Sequence, residues 1–318
     1  MTNTDAPRVT LGPSDLAVSP LALGGNVFGW TADTAQSFAV LDAYAAAGGN
    51  FLDTADVYSA WVPGNSGGES EKVIGEWLRS RGNREQIVVA TKVGMLSGLD
   101  NLRPETIRRG AEESLRRLGV ERIDLFYTHQ DDPQTPVEEI VTTLDALVRE
   151  GKVREVAASN IGPERLAASL EFAAREGLAK YVAVQPHYNL VSRDTYEGPL
   201  ADVAAEHGLS AVPYYALASG FLTGKYRPGA AVDSARAQGA GRYLEEPRGL
   251  RVLAALDEVA AAHGTQVAAV ALAWLAAQPT VAAPLASART VEQLPPLLAA
   301  ASLELTAAEL KLLSEASA

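Results

Sequence analysis

Short apolar runs alternate with longer amphipathic stretches along the whole chain. Residues 50–53, 86–91, 122–128, 153–159, 181–185 and 209–213 are rich in Val, Ile and Leu, and they read as parallel strands buried on both faces. Between them, residues 34–47, 69–80, 104–118, 136–149, 163–176 and 196–206 have helical length and one apolar stripe. Pro104, Pro136 and Pro163 open three of these helices. Gly48, Gly82, Gly119, Gly151, Gly177 and Gly208 follow the ends of all six, the usual asymmetry of starts and stops.

A further strand near 21–23 and another near 281–283 bring the strands to eight, alternating with helices. Eight βα units closing on themselves make a (β/α)8 TIM barrel, an α/β fold that the 318 residues fill as a single domain. An open doubly wound sheet would want GxGxxG after the first strand, and Leu23-Gly24-Gly25-Asn26-Val27-Phe28-Gly29 does not supply it. Residues 226–247 carry Gly229, Gly239 and Gly241 with little periodicity, and they read as a long mobile loop after the seventh strand.

Composition narrows the functional classes. With 27 Lys+Arg against 39 Asp+Glu the net charge is -12, which argues against a nucleic-acid partner. The absence of Cys excludes thiolate metal sites and cysteine nucleophiles, and no metal site is expected. The polar N-terminus lacks the pattern of a signal peptide, and no uncharged apolar stretch is long enough to span a membrane, so a cytoplasmic protein without membrane partners is the expectation.

In a barrel of this kind chemistry sits at the carboxyl ends of the strands. The second strand ends in Asp53 with Tyr58 just beyond it, the third in Lys92 and the fourth in His129. A phenol with an ordinary pKa near ~10 is a poor acid at neutral pH. The Lys92 ammonium would lower that pKa, Asp53 would keep the ammonium charged and oriented, and the His129 imidazole would position the same substrate oxygen. The set suits protonation of a carbonyl oxygen as it becomes an alkoxide.

The segments NFLDTADVYS, VVATKVG and DLFYTHQDD resemble the aldo-keto reductase superfamily, and so do LALGGNVFGW, VAASNIG, VQPHYNLVSR, YYALASGFLTGKY and PLASARTVEQL, in the family's order over nearly the whole chain. The resemblance implies a (β/α)8 barrel that reduces aldehydes and ketones with NADPH. It implies Tyr58 as proton donor, Lys92 and Asp53 as its tuning partners and His129 as the group that orients the carbonyl. Ser159, Asn160 and Gln185 would hold the nicotinamide carboxamide, with Tyr214 stacked under the ring. The stretch Ala216, Leu217, Ala218, Ser219, Gly220 to Lys225 would take the pyrophosphate, with Gly25, Asn26 and Asp53 completing the cofactor wall. Ser287, Arg289 and Gln293 would grip the adenosine end, and a guanidinium at Arg289 suits a 2'-phosphate, which favours NADPH over NADH. Trp30 and Trp61 would line the substrate pocket with Phe28, Tyr58, His129 and Tyr226, and such aromatic walls fit an apolar or sugar-like carbonyl compound.

Three departures from the family pattern stand out: Tyr215-Ala216 where most relatives have Ser-Pro, Ser287 where many have Gly, and Pro296-Leu297 in place of Glu-Asn. The leading expectation is an NADPH-dependent carbonyl reductase acting on a small carbonyl substrate. Two alternatives are an NADPH-binding sensor or channel-associated subunit, in which Asn typically replaces the His, and a class I aldolase using Lys92 as a Schiff-base nucleophile. His129 favours the enzyme over the sensor, and Asp53 would oppose the depressed lysine pKa that an aldolase needs.

Overall fold

A computed structural model of the protein describes residues 6–230, 232 and 237–318. The chain begins with a small antiparallel hairpin, β1 (Val9–Thr10) and β2 (Ala17–Val18). Eight parallel strands follow: β3 (Ala22–Gly24), β4 (Phe51–Asp53), β5 (Val88–Val93), β6 (Ile123–Thr128), β7 (Val153–Ser159), β8 (Tyr181–Gln185), β9 (Ser210–Ala211) and β10 (Leu285–Ala286). They pair in chain order, and β10 returns to lie beside β3. Backbone bonds from Ala211 to Thr280, Ala282 to Ala211 and Leu285 to Pro213 join the remaining edges, so the sheet closes as a (β/α)8 barrel.

The crossover helices are α1 (Thr34–Ala46), α2 (Glu69–Arg81), α3 (Pro104–Leu118), α4 (Val137–Arg149), α5 (Pro163–Glu176) and α6 (Pro199–Glu206). A short α7 (Ala237–Gly241) then precedes α8 (Pro247–His263) and α9 (Val267–Ala276), while α10 (Leu294–Ala299) and α11 (Ala307–Ala316) follow the last strand. Local sequence sets their ends. Asp33 and Gln36 form a reciprocal capping box at the start of α1, and Gly119, in the left-handed region, closes α3 with its amide on the Leu115 carbonyl.

The core has two shells. Outer-facing strand residues such as Leu23, Leu52, Val89 and Phe126 pack against the helices, while Phe51, Ala90, Leu125, Tyr127, Ala157, Ala183 and Val212 fill the barrel interior. Leu11, Leu16 and Val18 of the hairpin belong to the interior cluster, and the Gly12 amide donates to Ser210 Oγ (2.8 Å) at the start of β9. The hairpin therefore plugs the amino-terminal end of the barrel, and access is left to the carboxyl ends of the strands. Among the described residues no single helix is long and apolar enough to cross a membrane.

Two expectations are corrected. The eighth strand lies at Leu285–Ala286, not at 281–283: Val281 only bridges to Ala211, and pairing with β3 begins after Pro284, which has no N–H to give to a ladder. The stretch 226–247 is not a featureless loop where it is described. It forms α7 and a single 3-10 turn at Arg242–Leu244, held down by the buried Ala240 and by Tyr243 against the Phe221 ring (5.1 Å between centroids). The rest of that expected mobile segment, residues 231 and 233–236, lies outside the described residues.

Candidate active site

The period of two along a strand carries the interior shell into the site. Phe51, Ala90, Tyr127, Ala157, Ala183 and Val212 point into the barrel, and two residues further along stand Asp53, Lys92, His129, Ser159, Gln185 and Tyr214. Each of these six strands thus delivers one polar side chain directly above an apolar one.

Asp53 and Lys92 are fully buried and lie 2.5 Å apart. The Lys92 ammonium also donates to the Thr54 carbonyl (2.8 Å) and to the Tyr58 hydroxyl (3.1 Å), which uses all three of its N–H groups. Asp53 Oδ2 accepts from Gln185 Nε2 (2.8 Å), and Tyr58 Oη makes a long contact of 3.4 Å with Asp53 Oδ1. His129 stands beside this group, its ring centroid 6.1 Å from that of Tyr58. Lys92 has no exposure and no free N–H among the described residues, so this geometry offers nothing in favour of the Schiff-base alternative.

Burial dominates the electrostatics. It pushes the Tyr58 phenol well above its ordinary pKa, and the Asp53 charge adds to the effect. The expected depression by Lys92 is therefore not found at rest, since desolvation, with the Asp53 carboxylate adding to it, outweighs the ammonium. The phenol stays loaded with its proton at neutral pH. Burial also draws the Lys92 ammonium below its usual range, with Asp53 opposing the shift, so Asp53 does not raise the lysine overall. His129 is held neutral by burial and then by the Lys92 charge, and its Nδ1 has no hydrogen-bond partner among the described residues.

A cavity of about 640 Å³ opens above these groups, within the range of ligand sites. Tyr58, His129, Trp30, Trp61, Asn26, Ser159, Asn160, Gln185, Tyr214, Ala216, Leu217, Ser219, Gly220, Lys225, Ser287, Arg289 and Gln293 all line it, as the sequence led one to expect. Asn160 ties the wall together, donating to the His129 carbonyl (2.8 Å) and accepting from the Tyr214 hydroxyl (2.6 Å). Ser287 Oγ bonds Asn26 Oδ1 (2.6 Å) across the junction of the first and last barrel strands. Tyr215, Ala218, Ser219 and Gly220 all have positive φ, so the chain makes a tight cradle between β9 and α8.

Six expected residues do not line the cavity. Asp53 and Lys92 lie beneath it, and Ala218 turns inward under the cradle. Gly25 serves packing, since a Cβ there would stand 2.6 Å from Ser70 Oγ. Phe28 and Tyr226 are buried under the loops and are not substrate walls.

The residues present fit a nicotinamide dinucleotide. Among the described residues the cations that line the cavity are Lys225 and Arg289, Arg289 makes no ion pair, and the same cavity holds the protonated Tyr58 phenol and the neutral His129 imidazole. A model of the aldo/keto reductase family matches residues 20–318. The chain belongs to the aldo/keto reductase family. Norsolorinic acid reductase stcV of Emericella nidulans is 33% identical over 95% of this chain and 79% of its own length. Protein tas of Escherichia coli K12 is 32% identical over 92% of both chains, and the uncharacterized oxidoreductase YrpG of Bacillus subtilis is 34% identical over 96% and 94%. The protein is an oxidoreductase of the kind that uses NAD(P)H.

Sequence reasoning missed the layer underneath. Asp56 is fully buried with neither carboxyl oxygen hydrogen-bonded among the described residues, and its amide donates to the Lys92 carbonyl (3.2 Å). Glu71, held by Thr91 Oγ1 (2.6 Å) and by Arg117 Nε (2.5 Å), is a second buried acid nearby. The position of Asp56 inside DTADVY, an acid between Ala55 and Val57, was the available signal. Burial and then the Glu71 charge push the Asp56 carboxyl up to about 8. Between its ordinary value of 3.8 and about 8 the unfolded chain has lost this proton and the folded chain keeps it, so stability falls as pH rises through that window. Asp56→Asn should therefore gain in melting temperature relative to wild type as pH goes from about 5 to about 8. A difference that stays flat with pH would mean the carboxylate is ionised and paired.

Proposed function

We propose that this family member reduces an aldehyde or ketone to the alcohol with NADPH, and that Tyr58 donates the proton. The observation that carries this reading is the Tyr58 hydroxyl, kept protonated by burial, facing the cavity on one side and bonded to the Asp53–Lys92 pair on the other. When bound, the reduced nicotinamide supplies a hydride to the carbonyl carbon. Tyr58 gives its proton to the carbonyl oxygen, and Lys92 stabilises the phenolate left behind at 3.1 Å. His129, neutral, can hydrogen-bond the same oxygen without competing as a charged acid. A protein that only sensed its cofactor would need no imidazole there.

Ser159, Asn160 and Gln185 are the residues to orient the nicotinamide amide, with Tyr214 beneath the ring. The cradle 216–220 and Lys225 would hold the diphosphate, and Asn26, Ser287 and Gln293 the remaining polar edges. Arg289 supplies the preference for a 2'-phosphate, and Pro296 and Leu297 offer the adenine an apolar surface.

Tyr58→Phe should lower turnover by several powers of ten while NADPH affinity measured by titration stays almost unchanged, because only the proton donor is removed. Near wild-type turnover would refute the assignment. Arg289→Ala should weaken NADPH by about tenfold or more, the worth of a charge-assisted contact of ~1.5–3 kcal/mol, and hardly affect NADH. Equal weakening of both would show that Arg289 reads something other than the phosphate.

A further inference from the structure

The substrate end of the cavity differs in character from the cofactor end. Of five large apolar side chains that are strongly exposed among the described residues, three line this one cavity: Trp61 at 48%, Met95 at 40% and Tyr215 at 51%. Scattered exposed apolar residues need no explanation, but three gathered on one concave surface do.

Their orientation is fixed. Trp61 stands edge-on to Trp30 at 5.6 Å and to the Tyr58 ring at 6.3 Å, so an indole continues the wall that begins at the proton donor. Tyr215, in the left-handed region at φ 53°, is turned out of the chain's run, and the His187 ring supports it edge-on at 5.3 Å. His187 itself stacks on Tyr214 at 5.5 Å and 24°. The aromatic surface therefore has backing on both flanks and is not a pair of loose side chains.

Charge is distributed in the same sense. Among the described residues the ionic side chains lining the cavity are Lys225, Arg289 and Glu292, all on the segments assigned to the cofactor. Tyr58 is flanked by the Trp61 ring and the neutral His129 imidazole, and Val27, Thr31 and Val57 are among the other residues of the lining. Arg242, whose charge is felt at His187 and Tyr215, is held by the Tyr243 hydroxyl (2.8 Å) and ring (4.7 Å). Among the described residues no cation other than Lys225 and Arg289 lines the cavity, so an anionic substrate away from those two would give up its hydration with little to compensate it. A polyhydroxylated one would lose most of its hydrogen bonds to apolar rings.

We propose that the preferred substrate is an uncharged carbonyl compound on a flat aromatic framework larger than one ring, with Trp61 and Tyr215 as the residues that select it. This rests on the carbonyl-reductase reading above and narrows it: of the apolar and sugar-like classes open from the sequence, the apolar one fits. The face of a fused ring system presents its area to indole and phenol at low entropic cost, and each aromatic contact adds to simple area burial.

The test uses matched probes with the NADPH-loaded protein, quantifying the alcohol formed. Methyl 4-formylbenzoate should exceed 4-carboxybenzaldehyde in kcat/KM by roughly tenfold or more, since the two share a ring and differ in charge. 2-Naphthaldehyde should exceed benzaldehyde by about fivefold or more, through KM rather than kcat. Trp61→Ala and Tyr215→Ser, both at exposed positions that do not endanger folding, should each erase most of the naphthyl advantage. A readout independent of turnover is calorimetric binding of 2-naphthonitrile, which has no carbonyl to reduce, and Trp61→Ala should weaken it by about tenfold. Reduction of all four aldehydes with the carboxylate equal to the ester, or a naphthyl advantage untouched in both variants, would overturn this inference and leave the reductase reading standing. Failure to reduce any of them would overturn both.

Discussion

The site depends on burying a lysine and an aspartate together at the centre of the barrel mouth. Lys92 and Asp53 have no solvent exposure, and each ion gave up several kcal/mol of hydration to reach that position, in order-of-magnitude terms. Such a pair is tolerated only when every remaining donor and acceptor is satisfied. Here the Thr54 carbonyl, the Tyr58 hydroxyl and the Gln185 amide do so, which fixes β4, β5 and β8 relative to one another at their carboxyl ends. The placement of Tyr58 is a consequence, because its hydroxyl is the third acceptor the ammonium requires.

The same burial explains how the proposed acid is kept loaded. A solvent-exposed phenol beside an ammonium would lose its proton more easily, but here desolvation and Asp53 raise its pKa. In the proposed reduction the ammonium at 3.1 Å would act mainly on the phenolate left after transfer. Catalysis of this kind spends its electrostatics where charge develops and not on the resting state. The layer below, with the Asp56 carboxyl making no hydrogen bond among the described residues and Glu71 paired to Arg117, adds further buried acid near Lys92.

Much of this was legible in the residues. The apolar runs ending in Asp53, Lys92 and His129 gave both the barrel and the rim, because a strand buried on both faces writes its burial directly into composition. Period-two spacing from Phe51, Ala90 and Tyr127 then aims the polar residue inward. What could not be read depends on chain parts far apart in sequence. Phe28 and Tyr226 look like any aromatic near a pocket, and only packing under the loops removes them from it. The strand after Pro284 is two residues long and held by pairing at both edges, so local propensity carries almost no trace of it. The direction of the Tyr58 shift was misjudged for a related reason: sequence names the charges nearby but not how much water has been removed.

The central claim is that Lys92 works by stabilising the Tyr58 phenolate, and the pH profiles of carbonyl reduction and alcohol oxidation in wild type and Lys92→Met test it most directly. Without the ammonium, reduction should be crippled at every pH, because the phenolate it must leave behind has lost its partner. Oxidation should recover in part as pH rises, since a phenolate formed by bulk base can then take the alcohol proton. Parallel profiles in the two directions, differing from wild type only in amplitude, would contradict the account and reduce Lys92 to a group that holds the site's shape.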